Sequence, residues 1–206
     1  YGDSMVAGFF SVDEKRGQWM SLEPTAGGWG GRADSDGENA LINLVNGGFR
    51  NIPGEVMETK FPIRLEEFSI RPDSGGPGKH RGGCGVVRRY RTLEDCYSAI
   101  WFERSKTPAW GLNGGGDGIG PEVTITRPDG EVESRLKMRA SPFAANTVLE
   151  TKTGGGGGNG DPLQRPFEAI LTDVRKGYLS PAAASRDYGV AVTADGSLDE
   201  ANSTAR

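Results

Sequence analysis

The sequence predicts an α+β fold: a β-rich body threaded with glycine segments, followed by a short helical C-terminal segment. Three observations carry this. Short apolar runs bounded by turn residues recur as far as Val148 to Thr153, the pattern of successive strands. Beyond the run Gly154 to Gly158 the apolar residues change to helical spacing. Glycine supplies 33 of 206 residues, about twice the usual share, yet it is interleaved with Trp19, Trp29, Trp101 and Trp110, which disordered low-complexity chains lack. The length suits one domain with its own core. The expected organisation is a body over residues 1–160 and a helical segment of the same domain over residues 161–206.

Taken in order, Met5 to Phe10 and Trp19 to Leu22 are apolar runs flanking a polar segment that ends in Gly17, which reads as strand, reversal, strand. The glycine segment Gly27 to Gly37 follows. Residues 39 to 45 fit a short helix or a strand. From Phe61, Ile63 and Leu65 the alternation slips by one residue to Phe68 and Ile70, and a slip in a period-two pattern predicts a bulge. The segment around Pro53 and Pro62, with Glu55, Glu58 and Glu66, reads as strand-rich. Gly85 to Leu93 and Ala99 to Glu103 are further strands. Residues 122–126 and 131–135 flank Arg127-Pro128-Asp129-Gly130, where proline presets one turn dihedral and glycine accepts positive φ, so a hairpin is expected.

Pro166 fits a first helical turn, and Phe167, Ile170, Leu171 and Val174 share one face before Gly177 stops the helix. A second helix begins at Ser180 as N-cap with Pro181 behind it and ends at Gly189. Val190 to Val192 reads as a short strand and Asp195-Gly196 as a turn.

Several function classes are disfavoured. A net charge of -4 argues against a nucleic-acid surface, which needs an excess of clustered Lys and Arg. No apolar run approaches the ~20 residues that cross a bilayer. Tyr1 opens the chain without a translation start or a signal-peptide pattern, so the chain reads as part of something longer. Cys84 and Cys96 lie in different motifs, which permits a disulfide without demanding one, and reduced thiols in a cytoplasmic protein are the plainer reading. With His80 the single histidine, a His- or Cys-based metal site and a Ser-His-Asp arrangement find no motif, while a hard-cation site of carboxylates stays open without any known Ca²⁺ loop spacing. Gly78-Lys79 is not the end of a phosphate loop, because Asp73 stands at the expected glycine and His80 at the expected Ser or Thr. The glycines 154 to 160 match a dinucleotide pattern by composition alone, and Asp161-Pro162 follows where a helix should open. Close packing of that glycine backbone on another segment is the better reading.

The stretch Asp73 to Gly83 is the most unusual. Asp73 and Ser74 are placed to anchor turns, while Lys79 and Arg81 have the reach for a carboxylate or phosphate. His80 is either an exposed loop residue or a proton-transfer group. Asp73, Ser74, Lys79, His80 and Arg81 are therefore the candidate substrate or interface residues, with a plain turn between strands as the alternative.

The order of motifs carries a resemblance. Asn46 through Pro53-Gly54-Glu55-Val56-Met57-Glu58 and Phe61-Pro62, then Asp73 to Gly78 with Arg81-Gly82-Gly83, resemble the hydantoinase B/oxoprolinase family. Trp110 to Gly115, Gly154 to Gly158 with Gly160-Asp161-Pro162, and Asp173-Val174 to Ser180 with Tyr188-Gly189-Val190 continue it in family order. The resemblance implies the C-terminal part of a hydantoinase B-type subunit. It implies an ATP-dependent amidohydrolase opening hydantoins, 5-oxoproline or lactams, or alternatively an acetone/acetophenone-type carboxylase or a non-catalytic assembly domain. It further implies the N-terminal part of the same subunit and a hydantoinase A-type ATP-binding subunit as partners in a hetero-oligomer. ATP with magnesium belongs to that partner, and a divalent metal to the N-terminal part. No cofactor and no catalytic residue is transferred to this chain.

Overall fold

Alternation of apolar and polar residues builds two antiparallel sheets that face one another. The computed structural model describes residues 5–12, 17–42, 48, 50–193, 197–199, 201 and 203. The first sheet contains β1 (Met5–Ser11), β2 (Trp19–Thr25), β5 (Cys96–Trp101) and β8 (Lys137–Phe143). The second contains β3 (Ile63–Ile70), β4 (Val86–Thr92), β6 (Glu122–Thr126), β7 (Val132–Ser134) and β9 (Val148–Lys152). Their orders are β2-β1-β5-β8 and β3-β4-β9-β6-β7. The opening hairpin, the bulge in β3 between Leu65 and Glu67, and the β6–β7 hairpin with Gly130 at φ 89 all match the sequence pattern. β4 and β5 follow one another closely in the chain yet lie in different sheets, so the short connection crosses the sandwich.

Inward residues of both sheets form one core around Phe9, Tyr90, Ile100, Ile125, Phe143 and Leu149. Phe9 meets Tyr90 at 5.4 Å and Phe143 at 6.3 Å between ring centroids. Full burial of each large apolar side chain contributes about 1.5–3 kcal/mol. A buried Arg88–Glu23 pair at 2.7 Å ties the sheets together, with Asn51 also accepting from Arg88. Burial pushes the Glu23 carboxyl up while the charge of Arg88 opposes that shift.

Three elements depart from the sequence reading. The segment after Pro53 is a helix, α1 (Gly54–Lys60), so Glu55 and Glu58 are helical rather than strand residues. Proline presets the entry, Glu55 faces the positive helix end, and Lys60 the negative one. β8 was not anticipated, because Ala140, Ser141 and Pro142 are poor strand formers. The strand survives at a sheet edge, where a missing proline N–H breaks no ladder. Val190 to Val192 is not a strand: Val192 makes an isolated bridge to Leu198. Of the ambiguous run 39–45, Leu41 bridges to Gly27, while 43–45, like the predicted turn at Asp195-Gly196, lie outside the described residues.

The helical segment follows a 3-10 turn at Pro162–Gln164. α2 (Phe167–Arg175) starts behind Pro166, which is its N-cap residue rather than part of its first turn. Ile170 and Leu171 are buried as expected, but Phe167 points outward. α3 (Pro181–Tyr188) is capped by the Ser180 hydroxyl, which accepts from the Ala183 amide, and stops at Gly189 in the left-handed region. Together with Leu179, Ala183, Ala184, Tyr188 and Val190 these helices enclose a second apolar cluster separate from the sandwich core.

Candidate functional site

Gly154 to Gly158 emerge from β9 and run between other glycine-bearing segments. The Gly28 amide donates to the Gly154 carbonyl at 2.9 Å and the Gly31 amide to Gly157 at 2.8 Å, so the pairing recurs every third residue. A Cβ at Gly155 or Gly158 would overlap the backbone of Ser74 or Pro77 respectively; at Gly156 it would meet Trp29, and at Gly157 Trp110. This rotation through three neighbours is the period of a polyproline II-type helix, which makes no internal hydrogen bonds and leaves its amides to adjacent chains. Further bonds complete the bundle, from Gly156 to the Gly83 carbonyl at 3.0 Å and from Gly158 to the Gly116 carbonyl at 2.9 Å. Gly155 to Gly158 have no positive φ. What they provide is an absent side chain, so that backbones come into direct contact.

The stretch Asp73 to Gly83 is one strut of this bundle. Ser74 is fully buried; its hydroxyl donates to the Arg71 carbonyl at 2.7 Å and accepts from the Gly85 amide at 2.9 Å. Asp73, held at φ 59, donates its amide to the Tyr178 carbonyl, and its carboxylate accepts from the Ser180 amide at 2.7 Å. Arg81 is buried, with Nε 3.0 Å from Asp173 Oδ1 and its guanidinium 5.0 Å from the Tyr178 ring centroid. The fold therefore brings Asp73 and Arg81 together on the 173–180 stretch of the helical segment. Lys79 and His80 go elsewhere. Lys79 is exposed beside Gly160, and half-buried His80 exchanges backbone hydrogen bonds with Asn159 at 3.0 and 2.8 Å.

Arg165 and Asp36 complete a charged cluster with Arg81 and Asp173. Arg165 forks onto both Asp36 oxygens at 2.7 Å, reaches Asp173 Oδ2 at 2.7 Å, and donates to the Lys79 carbonyl at 3.0 Å. Asp36 also accepts from the Arg81 amide at 2.9 Å, and Asn39 from the Arg81 side chain at 3.1 Å. Two cations and two carboxylates thus lock the helical segment to the bundle. Sequence reasoning missed Asp36, Asn39 and Arg165, whose partners lie too far along the chain to leave a local signal. Asp173 appeared only within a motif.

Burial alone would raise the Asp36 carboxyl, but the hydrogen bond and charge of Arg165, with the charge of Arg81, hold it below the ordinary range. A carboxyl lowered by folding stabilises the fold above its unfolded value of about 3.9, and that contribution is lost as pH falls through the lower native value. Acidification below about pH 4 is therefore expected to loosen α2 and α3 first. Hydrogen exchange across residues 167–190 checks this, because Asp36→Asn should remove much of the pH dependence. Equal pH responses in parent and variant would contradict it.

Burial pushes the Cys84 thiol up, disfavouring the nucleophilic thiolate, and its Sγ faces the Tyr178 carbonyl at 3.5 Å. Among the described residues no three His, Cys, Asp or Glu side chains are grouped to hold a metal ion. No helix is long and apolar enough to cross a membrane among the described residues.

Residues 1–162 match the family model described as hydantoinase B/oxoprolinase. An uncharacterised protein of Methanocaldococcus jannaschii is 39% identical over 142 residues, 69% of this chain and 25% of its own length. A Pseudomonas sp. protein assigned as the B-type subunit of a D-/L-hydantoinase is 30% identical over 194 residues, 92% of this chain and 32% of its own length. The crystal structure of an ATP-dependent caprolactamase from Pseudomonas jessenii superposes with a TM-score of 0.81 at 26% identity, covering 96% of this chain and 36% of that one. The chain thus spans a quarter to about a third of the length of these relatives.

Proposed function

The chain belongs to the hydantoinase B/oxoprolinase family, and from that premise we propose that it is part of the B-type subunit of a cytoplasmic ATP-dependent amidohydrolase acting on hydantoin-, 5-oxoproline- or lactam-type rings. The observation that carries this reading is the match across 92% of the chain to a protein assigned as a B-type hydantoinase subunit. The fold shared with an ATP-dependent caprolactamase supports the cyclic-amide class. In this reading the working enzyme is a hetero-oligomer. An ATP- and magnesium-binding A-type subunit activates the ring carbonyl, and the remainder of the B-type subunit supplies the divalent metal site.

The part of this chain is positional. Glycine struts in direct backbone contact make a stiff frame, and the Arg81, Arg165, Asp36 and Asp173 cluster holds the helical segment against it. Lys79 is the cation of the candidate stretch that remains exposed, so it is the group there available to a substrate or another subunit. Lys79→Ala should lower turnover about tenfold, the scale of one charge-assisted hydrogen bond, with the melting temperature and assembly unchanged. Loss of assembly without a separate loss of turnover would instead make the loop an interface.

The deciding assay combines the assembled subunits with ATP and hydantoin, 5-oxoproline or caprolactam, and in parallel with bicarbonate and acetone or acetophenone. ATP-dependent ring opening supports the proposal. Fixation of bicarbonate into the ketone would replace it with the carboxylase reading.

A further inference from the structure

The two sheets treat their outer faces differently. On the five-stranded sheet, charges of alternating sign run across three strands and then along the third: Glu67 on β3 pairs with Arg89 on β4 at 3.2 Å, Arg89 also pairs with Glu150 on β9, and Glu150 pairs with Lys152 of the same strand at 3.1 Å. That surface suits water. On the four-stranded sheet, Phe10 stands opposite Met20 on β2 and Tyr97 on β5, while Val6 stands opposite Pro24 and Trp101. Phe10 and Tyr97 stack with ring centroids 5.7 Å apart. Between these rows lies Gly8, opposite Leu22 and Ala99, with Leu22 Cδ1 3.0 Å from where a Gly8 Cβ would stand. The result is an unbroken apolar plateau across three strands, with Met20 66%, Leu22 49%, Tyr97 39% and Trp101 49% exposed. Contiguous apolar surface on this scale marks a contact site in a soluble protein.

The plateau also has a shape. Three strands spaced about 4.8 Å apart span about 10 Å, close to the width of an α-helix with its side chains. Leu22 folded over Gly8 leaves a flat floor between aromatic ends, and layers of helix on sheet are the usual way to bury such a face. No Asp, Glu, Lys or Arg stands at Val6, Gly8, Phe10, Met20, Leu22, Pro24, Tyr97, Ala99 or Trp101; charge on this face begins at the edge strand β8, where Lys137 stands opposite Trp101, so the partner face over the plateau is apolar with a polar rim. The relatives spanned by this chain to only 25–36% of their length contain a large amount of additional polypeptide.

We propose that the outer face of the four-stranded sheet, from Met20 and Leu22 across Phe10 to Tyr97 and Trp101, seats an apolar helical face of that remaining part of a hydantoinase B-type subunit. The inference rests on family membership and not on the choice of substrate. It separates the two ends of the domain: the sheet face joins the rest of the subunit, and the glycine bundle with Lys79 stays free for other contacts.

The test co-expresses this chain with the part that it does not span of the Pseudomonas sp. relative. Co-purification is expected for the parent chain, and at least about tenfold less of the partner for Met20→Lys/Leu22→Lys/Trp101→Lys, since central apolar and aromatic groups dominate such contacts. Thr124→Lys, on the other sheet, is expected to leave co-purification unchanged. Hydroxyl-radical labelling of the parent complex is independent of variant folding, and Met20 and Trp101 should be shielded relative to the chain alone. Failure of the parent to associate, equal capture by the triple variant, or undiminished labelling of Met20 and Trp101 would each overturn the proposal. A dimer of this chain that the triple variant abolishes would overturn it in favour of a second copy. None of these outcomes depends on catalysis, so failure here leaves the amidohydrolase reading standing.

Discussion

Gly156→Ala is expected to prevent stable folding, with a cost of about 4 kcal/mol or more, the exceptional class for a single substitution. The added methyl would lie within the Trp29 carbonyl group and against the Gly30 amide. Neither obstacle is a side chain that can rotate away. Trp29 is itself fixed, because its carbonyl accepts from the Gly83 amide at 2.7 Å and its own amide donates to the Glu38 carbonyl at 2.9 Å. Moving one strut would disturb the bonds of the next, and close-packed interiors transmit such strain instead of absorbing it. The internal control is Gly30→Ala. That methyl would find only the Gly157 carbonyl oxygen at an ordinary 3.7 Å. With no positive φ to strain, the variant should be neutral or gain about 0.4–1 kcal/mol through a less disordered unfolded chain. Thermal melts of the two variants decide the matter. Similar melting temperatures would show that the glycines serve as flexible loops and not as a packed bundle.

Arg165→Met should release the helical segment while leaving the sandwich folded, at a cost of about 3–5 kcal/mol for breaking a buried pair. The Asp173 side chain is 6% exposed and would keep only Arg81, whereas Asp36 at 35% is partly hydrated and contributes less. Arg165→Lys is expected to rescue little, because one ammonium cannot fork onto both Asp36 oxygens and reach Asp173 as well. The separate apolar cluster of the helices explains why docking depends on charge: Ile170, Leu171 and Tyr188 pack on one another and not into the sandwich core. Hydrogen exchange should show residues 167–190 losing protection while β4 and β9 retain theirs. A cycle of Arg165→Met with Asp173→Leu should depart from additivity by more than about 0.5 kcal/mol, as contacting groups do. Uniform loss of protection over the whole chain would mean that the segment and the sandwich unfold as one unit.

Local chemistry determined much of this protein directly from its sequence. Period-two runs placed most strands, the slip between Leu65 and Phe68 located the bulge, and Ser180-Pro181 with Gly189 delimited α3, because each signal acts within a few residues of backbone. The order of glycine motifs carried the family. Tertiary structure decided the rest. It put β4 and β5 in opposite sheets, kept a strand through Pro142 because that strand lies at an edge, and turned separate glycine clusters into one bundle. It also divided the candidate residues, drawing Arg81 onto Asp173 and Asp73 onto Ser180 while leaving Lys79 exposed. The physical reason is reach. A turn or helix cap is set by neighbours in the chain, whereas the contact between Gly156 and Trp29, or between Arg165 and Asp36, exists only once segments more than a hundred residues apart have come together.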